Sequence, residues 1–380
     1  MHLMKSSFVL LLFGLPGAAL AVESYTAKTP HSTLARQIDV NSYIVGSYNY
    51  LERNKYFTSG FADRINDNAT NGARLQQAFL SVSCLPDDGF GAYTEMAAGS
   101  DAYTIAPFGW NANVFQIKNF GFAVPDAYLF YGNHGYTAQA GVMEALAGFE
   151  TFSYLNDSNF SRGIIYGYVV PGVHAGVRGS KKINDTFKVL LGVANGWATL
   201  RQPGNMQAAE AGLEYTLSEK LSGLFDVYAG KKYLADDAYS GPTGNIGLFD
   251  MFGTYQYTEA LSFNWNLDYA VQSRAALPGG VVGRAQWAAA AGYANYQFND
   301  RWRTSVRAEV MNDKNGYRTG VKQTWKEATL SFGYEPIKHL SFILETRRDF
   351  SNVNAFVNKN GVGSNNNQQS YALEAMYQFV

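Results

Sequence analysis

The dominant pattern in the chain is an alternation of apolar and polar residues with a period of two. The clearest run is residues 261–272, LSFNWNLDYAVQ, in which every odd position is large and apolar and every even position except Ala270 is polar. This period places successive side chains on opposite faces of a β-strand, so the run is predicted to be a strand with one apolar face. That face carries Phe263, Trp265 and Tyr269, which is typical of strands that face lipid.

The same alternation recurs along the chain in sixteen segments. They are 37–51, 73–84, 89–100, 121–132, 136–148, 163–180, 186–199, 207–217, 221–234, 246–257, 261–274, 284–298, 302–312, 324–335, 339–350 and 368–380. Short turns such as 218–220 and 258–260 alternate with longer polar stretches such as 52–72, 275–283 and 313–323. Short turns on one side and long loops on the other are typical of outer-membrane barrels. We therefore predict an all-β fold, a closed antiparallel transmembrane β-barrel of sixteen strands over residues 37–380.

The N-terminal residues differ in character from the rest of the chain. Residues 1–21 fit a cleaved signal peptide, with Lys5 before an apolar run at 8–15 and a small-residue cleavage site at 19–21. The apolar run is shorter than the roughly 20 residues of a membrane-spanning helix, which argues against an uncleaved anchor. Residues 22–36 show no clear period and are interpreted as a periplasmic tail.

Composition supports a barrel and excludes some other classes of protein. Aromatic residues make up 15% of the chain while the mean hydropathy is only −0.19, as expected when a wall is apolar outside and polar inside. The net charge of −1 gives no sign of the basic surface that nucleic-acid binding needs. The single cysteine, Cys84, cannot form an internal disulfide and is interpreted as a small apolar residue near a strand end.

Several blocks in the middle third of the chain resemble a known family. They are NFSR at 159–162, VPGVHAGVR at 170–178 and GVANGW at 192–197, with LQQAFLS at 75–81 and GFE at 148–150 as further blocks. The chain resembles the OmpL-like beta-barrel porin family in these blocks, whereas the last half carries only the barrel pattern. The resemblance implies an outer-membrane channel of a Gram-negative bacterium and names no solute.

Three classes of function are compatible with such a barrel. A porin for passive diffusion of small hydrophilic solutes is favoured, because sixteen strands leave an aqueous lumen unless a loop fills it; either 101–120 or 149–162 could fold inward and narrow it. A surface adhesin or receptor on a barrel scaffold and an outer-membrane hydrolase are the alternatives. A hydrolase needs a histidine beside its nucleophile, and only His174 could lie on the wall, where a role as a wall or pore residue is expected.

Neither a cofactor nor a metal is expected, because the chain has no nucleotide-binding, zincin or paired-cysteine motif. The expected partners are outer-membrane lipid, small hydrophilic solutes or ions, and the machinery that assembles outer-membrane barrels. Homo-trimers are common among porins of this size. No nucleic acid is expected.

Charged residues on the inward faces of the predicted strands are the candidates for lining a pore. They form a basic group (His174, Arg178, Lys182, Lys188), an acidic group (Glu210, Glu214, Asp226, Asp250, Asp268) and a mixed group (Arg303, Arg307, Glu309, Glu327, Glu345, Arg347). Any one of them could be merely a solvated wall residue, since charge in a wet lumen costs little. Together the acidic wall and its basic neighbours predict a weak preference for cations.

Counting back from the short turns also predicts which strand positions face each other. The turn at 258–260 places Asp250 opposite Asp268, and a turn centred on Ile337 would place Glu327 opposite Arg347.

The aromatic residues have two interpretations, a lipid-interface girdle or a sugar-stacking track. The girdle is favoured because Trp265, Phe332, Tyr334 and Tyr377 share the apolar face of their strands. Trp110 and Trp197, in or near outer loops, are kept as candidates for solute contact.

Overall fold

The described residues of the computed structural model are 38–52, 64, 71–105, 120–198, 207–234, 242–357 and 363–379. They form one closed antiparallel barrel of sixteen strands, in which β1 pairs with both β2 and β16. The first eight strands are β1 Asp39–Leu51, β2 Gly72–Cys84, β3 Gly89–Gly99, β4 in two pieces (Gly121–Ala123 and Ala127–Asn133), β5 Tyr136–Glu144, β6 Val173–Lys182, β7 Phe187–Ala194 and β8 Ala208–Ser218. The other eight are β9 Leu221–Tyr233, β10 Thr243–Gln256, β11 Leu261–Leu277, β12 Val281–Asn299, β13 Trp302–Asp313, β14 Gln323–Ile337, β15 Leu340–Ser351 and β16 Asn367–Gln378.

Among the described residues, helical structure is confined to short pieces in the connections. A helix, α1, spans Ser100–Ile105, a 3-10 turn spans Tyr154–Asn156, and a π-helical turn spans Ile165–Val169. A small hairpin of Phe356–Val357 and Gly363–Asn365 lies in the connection between β15 and β16. Within the described residues, no helix is long and apolar enough to cross a membrane.

The barrel has its polar side chains inside and its apolar side chains outside. In β11, Phe263 and Tyr269 are 39% and 49% exposed on the outward face, whereas Asn266 and Asp268 are 1% and 5% exposed on the inward face. A soluble sheet would bury the aromatic residues instead. This inversion is what a wall requires when lipid is its outer solvent.

The prediction of a sixteen-stranded closed barrel is confirmed. The predicted strand 163–180 is wrong at its start, because β6 begins only at Val173. The residues before it include Ile164, Ile165 and Val169, which are buried inside the barrel. Their apolar character therefore reflects packing in the lumen and not contact with lipid.

The strand register agrees with one prediction and corrects another. Asp250 does lie opposite Asp268. Glu327 lies opposite Asp349, and not opposite Arg347 as predicted. The turn between β14 and β15 is tighter than expected, since Ile337 pairs with Leu340 and His339 adopts a left-handed φ of 73°.

The predicted signal peptide (1–21) and tail (22–36) lie outside the described residues. Cys84 ends β2 and is half-buried.

Candidate functional site in the barrel lumen

The connection between β5 and β6, residues 145–172, folds into the barrel; we call it the inner loop. Its side chains Phe152, Phe160, Ile164 and Val169 are at most 2% exposed. An ordinary surface loop would leave such side chains in solvent. Of the two loops predicted to narrow the lumen, the one containing 149–162 is therefore an inward loop. The other, 101–120, is only partly within the described residues.

Apolar clusters fix the inner loop to the wall, and the two largest involve different parts of the loop. Near the C-terminal end of the inner loop, Ile164, Ile165 and Val169 pack in a cluster with Trp287 of β12 and Trp325 of β14. The indole Nε1 of Trp287 also donates to the carbonyl oxygen of Val169 at 3.1 Å. The loop is thus held to this wall by both packing and a hydrogen bond.

The second cluster spans the closure of the barrel, where β1 pairs with β16. Phe152, Tyr154 and Phe160 pack with Tyr43 of β1 and Phe79 of β2. The backbone N–H of Tyr154 donates to the Tyr43 hydroxyl at 3.0 Å, and the Tyr154 hydroxyl donates to Asp101 of α1 at 2.9 Å. The loop therefore reaches across the barrel rather than following one wall.

Wall carboxylates accept hydrogen bonds from the backbone of the inner loop. Glu345 of β15 accepts from the N–H groups of Phe160 at 2.8 Å and Ser161 at 3.1 Å. Glu309 of β13 accepts from the N–H of Ile164. A buried backbone N–H needs such a partner, so these two glutamates serve the loop directly.

Gly163 makes the contact with Glu309 possible. A Cβ at position 163 would overlap the Glu309 carboxylate, so any other residue would require that carboxylate or the loop to shift.

Two buried arginines connect the wall and the loop electrostatically. Arg307 donates to Glu327 at 2.8 Å on the wall and to Glu150 at 2.6 Å and the Ser161 carbonyl oxygen at 2.5 Å in the loop. Because its side chain is fully buried, these hydrogen bonds are not screened by water. Arg307 is therefore a bridge between β13, β14 and the inner loop.

Arg347 of β15 has a similar role, two strands further along the wall. It donates to Asp349 at 2.7 Å and to the carbonyl oxygen of Arg162 at 2.6 Å. It also lies 3.4 Å from Glu327, so the predicted neighbours Glu327 and Arg347 do interact, diagonally across the strand pair instead of directly opposite each other.

A row of three carboxylates crosses β9, β10 and β11. Asp226 lies opposite Asp250, which lies opposite Asp268, and all three are at most 5% exposed. Asn266 donates to Asp250 at 2.5 Å and to Asp268 at 3.1 Å. Among the described residues, no Lys or Arg forms an ion pair with any of the three.

The neighbouring acids of β8, in contrast, have basic partners. Arg178 donates to Glu210 at 2.6 Å, and Lys188 donates to Glu214 at 2.7 Å. Of the predicted acidic group, Asp226, Asp250 and Asp268 are thus the members that have no adjacent Lys or Arg partner among the described residues.

His174 lies in the same region of the wall. Its Nε2 is 3.6 Å from a Glu210 carboxylate oxygen, and its ring packs edge-on against Tyr228. Within the ranges that the structure describes, neither ring nitrogen has a hydrogen-bond partner, so no serine hydroxyl is activated by it there.

A second carboxylate cluster, which the sequence did not reveal, lies at the root of the inner loop. Oxygen atoms of Glu95, Asp126 and Glu144 lie within 4.8 Å of one another. Each is engaged: Tyr93 donates to Glu95, the Glu144 N–H to Asp126 at 2.9 Å, and the Phe152 N–H to Glu144 at 3.1 Å. The cluster therefore fixes the point where the loop leaves β5.

A cavity of about 190 Å³ occupies the lumen between the inner loop and the short turns. The loop contributes Tyr154 and Asp157 to its lining, and the wall contributes Arg303, Ser331 and Gln378. The inner loop thus closes the inner end of a polar vestibule that begins at the short-turn end.

Comparison with known proteins assigns this architecture to a family. A family model described as "Putative beta-barrel porin-2, OmpL-like" matches residues 37–379. The chain belongs to this porin family. No curated protein sequence matches the chain.

Solved structures of outer-membrane proteins share the porin fold at low sequence identity. The outer membrane channel DcaP of Acinetobacter baumannii has a TM-score of 0.64 at 15% identity, covering 92% of this chain and 99% of that one. An anion-selective porin from Comamonas acidovorans has a TM-score of 0.61 at 9% identity, covering 90% and 99%. OmpF of Salmonella typhi, in complex with daunomycin, has a TM-score of 0.61 at 11% identity, covering 90% and 98%. These likenesses show the fold, and the family establishes an outer-membrane channel.

Most of the pore-lining candidates of this porin are buried on the inward face. These are His174, Glu210, Asp226, Asp250, Asp268, Arg307, Glu309, Glu327, Glu345 and Arg347. Arg178, Lys188, Glu214 and Arg303 are half-buried. Lys182 is exposed at the end of β6 and pairs with Asp185 in the adjacent turn at 2.7 Å, away from the inner loop.

Sequence reasoning missed several charged residues of the lumen. Asp349 lies on the same inward face as Glu345 and Arg347 and could have been found by the same alternation. Glu150 and Arg162 could not, because they belong to the inner loop, where no strand period indicates a direction. Arg162 pairs with Asp157 at 2.8 Å and lies over the Tyr154 ring.

The aromatic residues follow the girdle interpretation, with one correction. Phe332 and Tyr377 are each 45% exposed on the outward face. Trp197, a candidate for solute contact, is instead buried and packs edge-on against Tyr228 and Trp287. Trp110 lies outside the described residues.

Proposed function

We propose that this porin is a passive diffusion channel for small hydrophilic solutes and that the inner loop sets the size of the solutes that pass. The observation that carries the proposal is the anchoring of residues 145–172 across the lumen of a sixteen-stranded barrel. A barrel of this strand number is wide enough for an aqueous channel. A loop fixed inside it by Arg307, Glu309 and Glu345 narrows that channel at one level.

We also propose a weak preference for cations. Among the described residues, buried carboxyl groups outnumber the buried Lys and Arg side chains, which are Arg64, Arg162, Lys232, Arg307 and Arg347. The arginines at the inner loop are paired with acids, whereas Asp226, Asp250 and Asp268 are not. An excess of negative charge along a pore favours cations.

The proposal also includes a homo-trimer in the outer membrane, supported by one structural relative. A trimer form of an outer membrane protein of Vibrio cholerae, OmpT, has a TM-score of 0.56 at 12% identity and covers 90% of this chain and 99% of that one. Light scattering of the detergent-solubilised barrel would measure the number of subunits, and a monomer would contradict the proposed trimer.

The test of the channel is single-channel recording in a planar lipid bilayer. Insertion of the purified barrel should give discrete, ohmic conductance steps that scale with salt concentration, as expected of a water-filled passage. Intact barrels that insert without any conductance would contradict the proposed function and favour a surface receptor or an enzyme.

The test of selectivity is the reversal potential under a salt gradient. Asp226→Asn, Asp250→Asn and Asp268→Asn in one variant keep the size of the side chains and remove the carboxyl groups that have no cationic partner, so the reversal potential should shift toward anions. The matched control changes three exposed turn carboxylates, Asp87→Asn, Asp185→Asn and Glu219→Gln. Equal shifts in both variants, or none in the first, would show that the carboxylate row does not set selectivity.

A further inference from the structure

Two exposed cations project from the outer wall of the barrel, near its long-loop end. Lys326 of β14 and Arg348 of β15 both lie on the outward face, where their inward neighbours Glu327, Arg347 and Asp349 are buried. Neither cation forms an ion pair with any described residue; Arg348 instead lies 5.0 Å from the centre of the exposed Phe350 ring. Charge facing lipid is costly unless it finds a partner near the interface.

The strand register places these two cations side by side. Lys326 lies opposite Phe350, and Arg348 lies opposite Ala328. They are therefore diagonal neighbours on one face, a spacing that long side chains bridge easily. On its other side Arg348 lies opposite Gln369 of β16. The Gln369 amide Nε2 donates to the Thr346 hydroxyl at 2.7 Å and, more weakly, to the Ser370 carbonyl oxygen at 3.4 Å, and an anion would replace the weaker of these two acceptors. One compact anion could contact all three side chains.

The level of the pair on the wall matches the lipid–water boundary. Tyr371 of β16 lies opposite Thr346, one outward position below Arg348, and stacks with Tyr50 of β1. Phe350 lies one outward position above Arg348. Exposed aromatic residues in such rows mark the interface of outer-membrane barrels. The cations therefore lie at the depth of lipid head groups rather than in the hydrocarbon region.

The wider outer surface around Lys326 and Arg348 is positively charged. Among the described outward positions in the long-loop halves of β9 to β15, the charged side chains include Lys231, Arg284, Lys326 and Arg348, and none is Asp or Glu. Barrels of this type carry their longer loops on the extracellular side. The surface therefore faces the outer leaflet, and its charge is complementary to phosphate.

We propose that Lys326, Arg348 and Gln369 form a binding site for the phosphate of a glycolipid in the outer leaflet. Arg348 and Lys326 supply charge-assisted hydrogen bonds to the phosphate oxygens. Phe350 and Tyr371 contact the sugar or the upper acyl chains beside it. The site is separate from the lumen and does not depend on the proposed channel function.

The experiment is a titration of the detergent-solubilised barrel with diphosphoryl lipid A, read by native mass spectrometry. Lys326→Gln and Arg348→Gln together should weaken binding about tenfold or more, since each basic residue near a lipid surface contributes roughly a factor of five. The matched control is Lys181→Gln, because Lys181 is also exposed on the outward face beside an aromatic ring, Tyr136, but at the short-turn end. It should leave binding unchanged.

Two further measurements keep the proposal falsifiable. The charge-retaining variant Lys326→Arg with Arg348→Lys should restore most of the binding, and heat-modifiable gel mobility reports whether each variant is folded. Inorganic phosphate should not displace the lipid, because the aromatic contacts are made only by the lipid. Unchanged binding in a folded Gln variant, an equal loss in the Lys181 control, or displacement by inorganic phosphate would overturn the proposal.

Discussion

The lumen of this porin depends on a few charged residues that each contact several elements. Arg307 is the clearest case, since it joins Glu327 on the wall to Glu150 and Ser161 in the inner loop while being fully buried. A buried charge is stable only while its partners remain. The network is therefore stable only while both its acidic and its basic side chains are present. Removing one charged side chain should lower the free energy of unfolding by more than the loss of one hydrogen bond would.

At the residue scale we predict that Arg307→Ala strongly destabilises the barrel. Buried Glu150 loses its cation and buried Glu327 keeps only Arg347, 3.4 Å away, so the free energy of unfolding should fall by about 3–5 kcal/mol. The measurement is urea-induced unfolding of the barrel in lipid vesicles. Arg301→Ala, in the exposed turn between β12 and β13, should change it by less than about 0.5 kcal/mol. Similar values for the two variants would contradict the bridging role of Arg307.

At the scale of elements, the inner loop behaves as a component of the wall and not as a free connection. Its backbone N–H groups at Phe160 and Ile164 donate to Glu345 and Glu309. Its apolar side chains pack in clusters with strands on different sides of the barrel. Loops usually have few such contacts. The position of the loop is thus determined by side chains of β13 and β15 that are distant from it in sequence.

We predict that removing the two acceptors loosens the inner loop and changes conduction. Glu309→Ala with Glu345→Ala should give noisier and larger single-channel conductance, because the loop loses the oxygens that hold Phe160, Ser161 and Ile164. Glu309→Gln with Glu345→Gln removes the same charges but keeps an amide oxygen as acceptor, so its current should stay closer to that of the unchanged protein. Identical recordings from both variants would mean that charge, and not anchoring, is responsible.

The register of β14 and β15 gives a second prediction at this scale. Phe332 lies opposite Leu344, whereas the three-residue turn inferred from the sequence would place it opposite Phe342. In a background of Cys84→Ser, Phe332→Cys with Leu344→Cys should form a disulfide rapidly, since directly opposed positions have a suitable Cα separation. The pair at 332 and 342 should react more slowly. Faster cross-linking of that second pair would restore the register predicted from the sequence.

At the scale of the whole molecule, the two ends of the barrel differ in the length of their connections. The short-turn end carries tight turns such as that at His134 and Gly135, both with positive φ, and it opens into the vestibule below the inner loop. The β11–β12 hairpin extends further than predicted at the opposite end, with only residues 278–280 between the strands. This asymmetry predicts the orientation of the barrel in the membrane.

An epitope tag can test that orientation on intact cells. A tag inserted between Gly279 and Gly280, where both residues have positive φ and an added Cβ would meet no other atom within 4 Å, should be detected from outside. A tag at Glu219 or Glu259, in the short turns, should become accessible only after the outer membrane is permeabilised. Labelling of the short turns on intact cells would reverse the topology and move the proposed lipid site to the inner leaflet.

The sequence by itself determined the class of fold, the number of strands and most inward faces. A period of two is a local property, and it follows directly from the geometry of a strand. For this reason Asp250 and Asp268 could be placed opposite each other from one short turn, and Phe332 and Tyr377 could be assigned to the lipid face. The family blocks at 159–162 and 170–178 supported the same class of protein.

Only the tertiary structure decided the interior of the lumen. The residues from Ile164 to Val169 are apolar because they pack inside the barrel, yet in sequence they resemble a lipid-facing strand, and nothing local distinguishes the two environments. The partners of Arg307 lie up to 157 positions away along the chain. A one-residue shift in the centre of a turn placed Asp349 opposite Glu327 instead of the predicted Arg347. Contacts across a closed barrel depend on loop paths and register, and these are fixed by packing between segments that no short stretch of sequence contains.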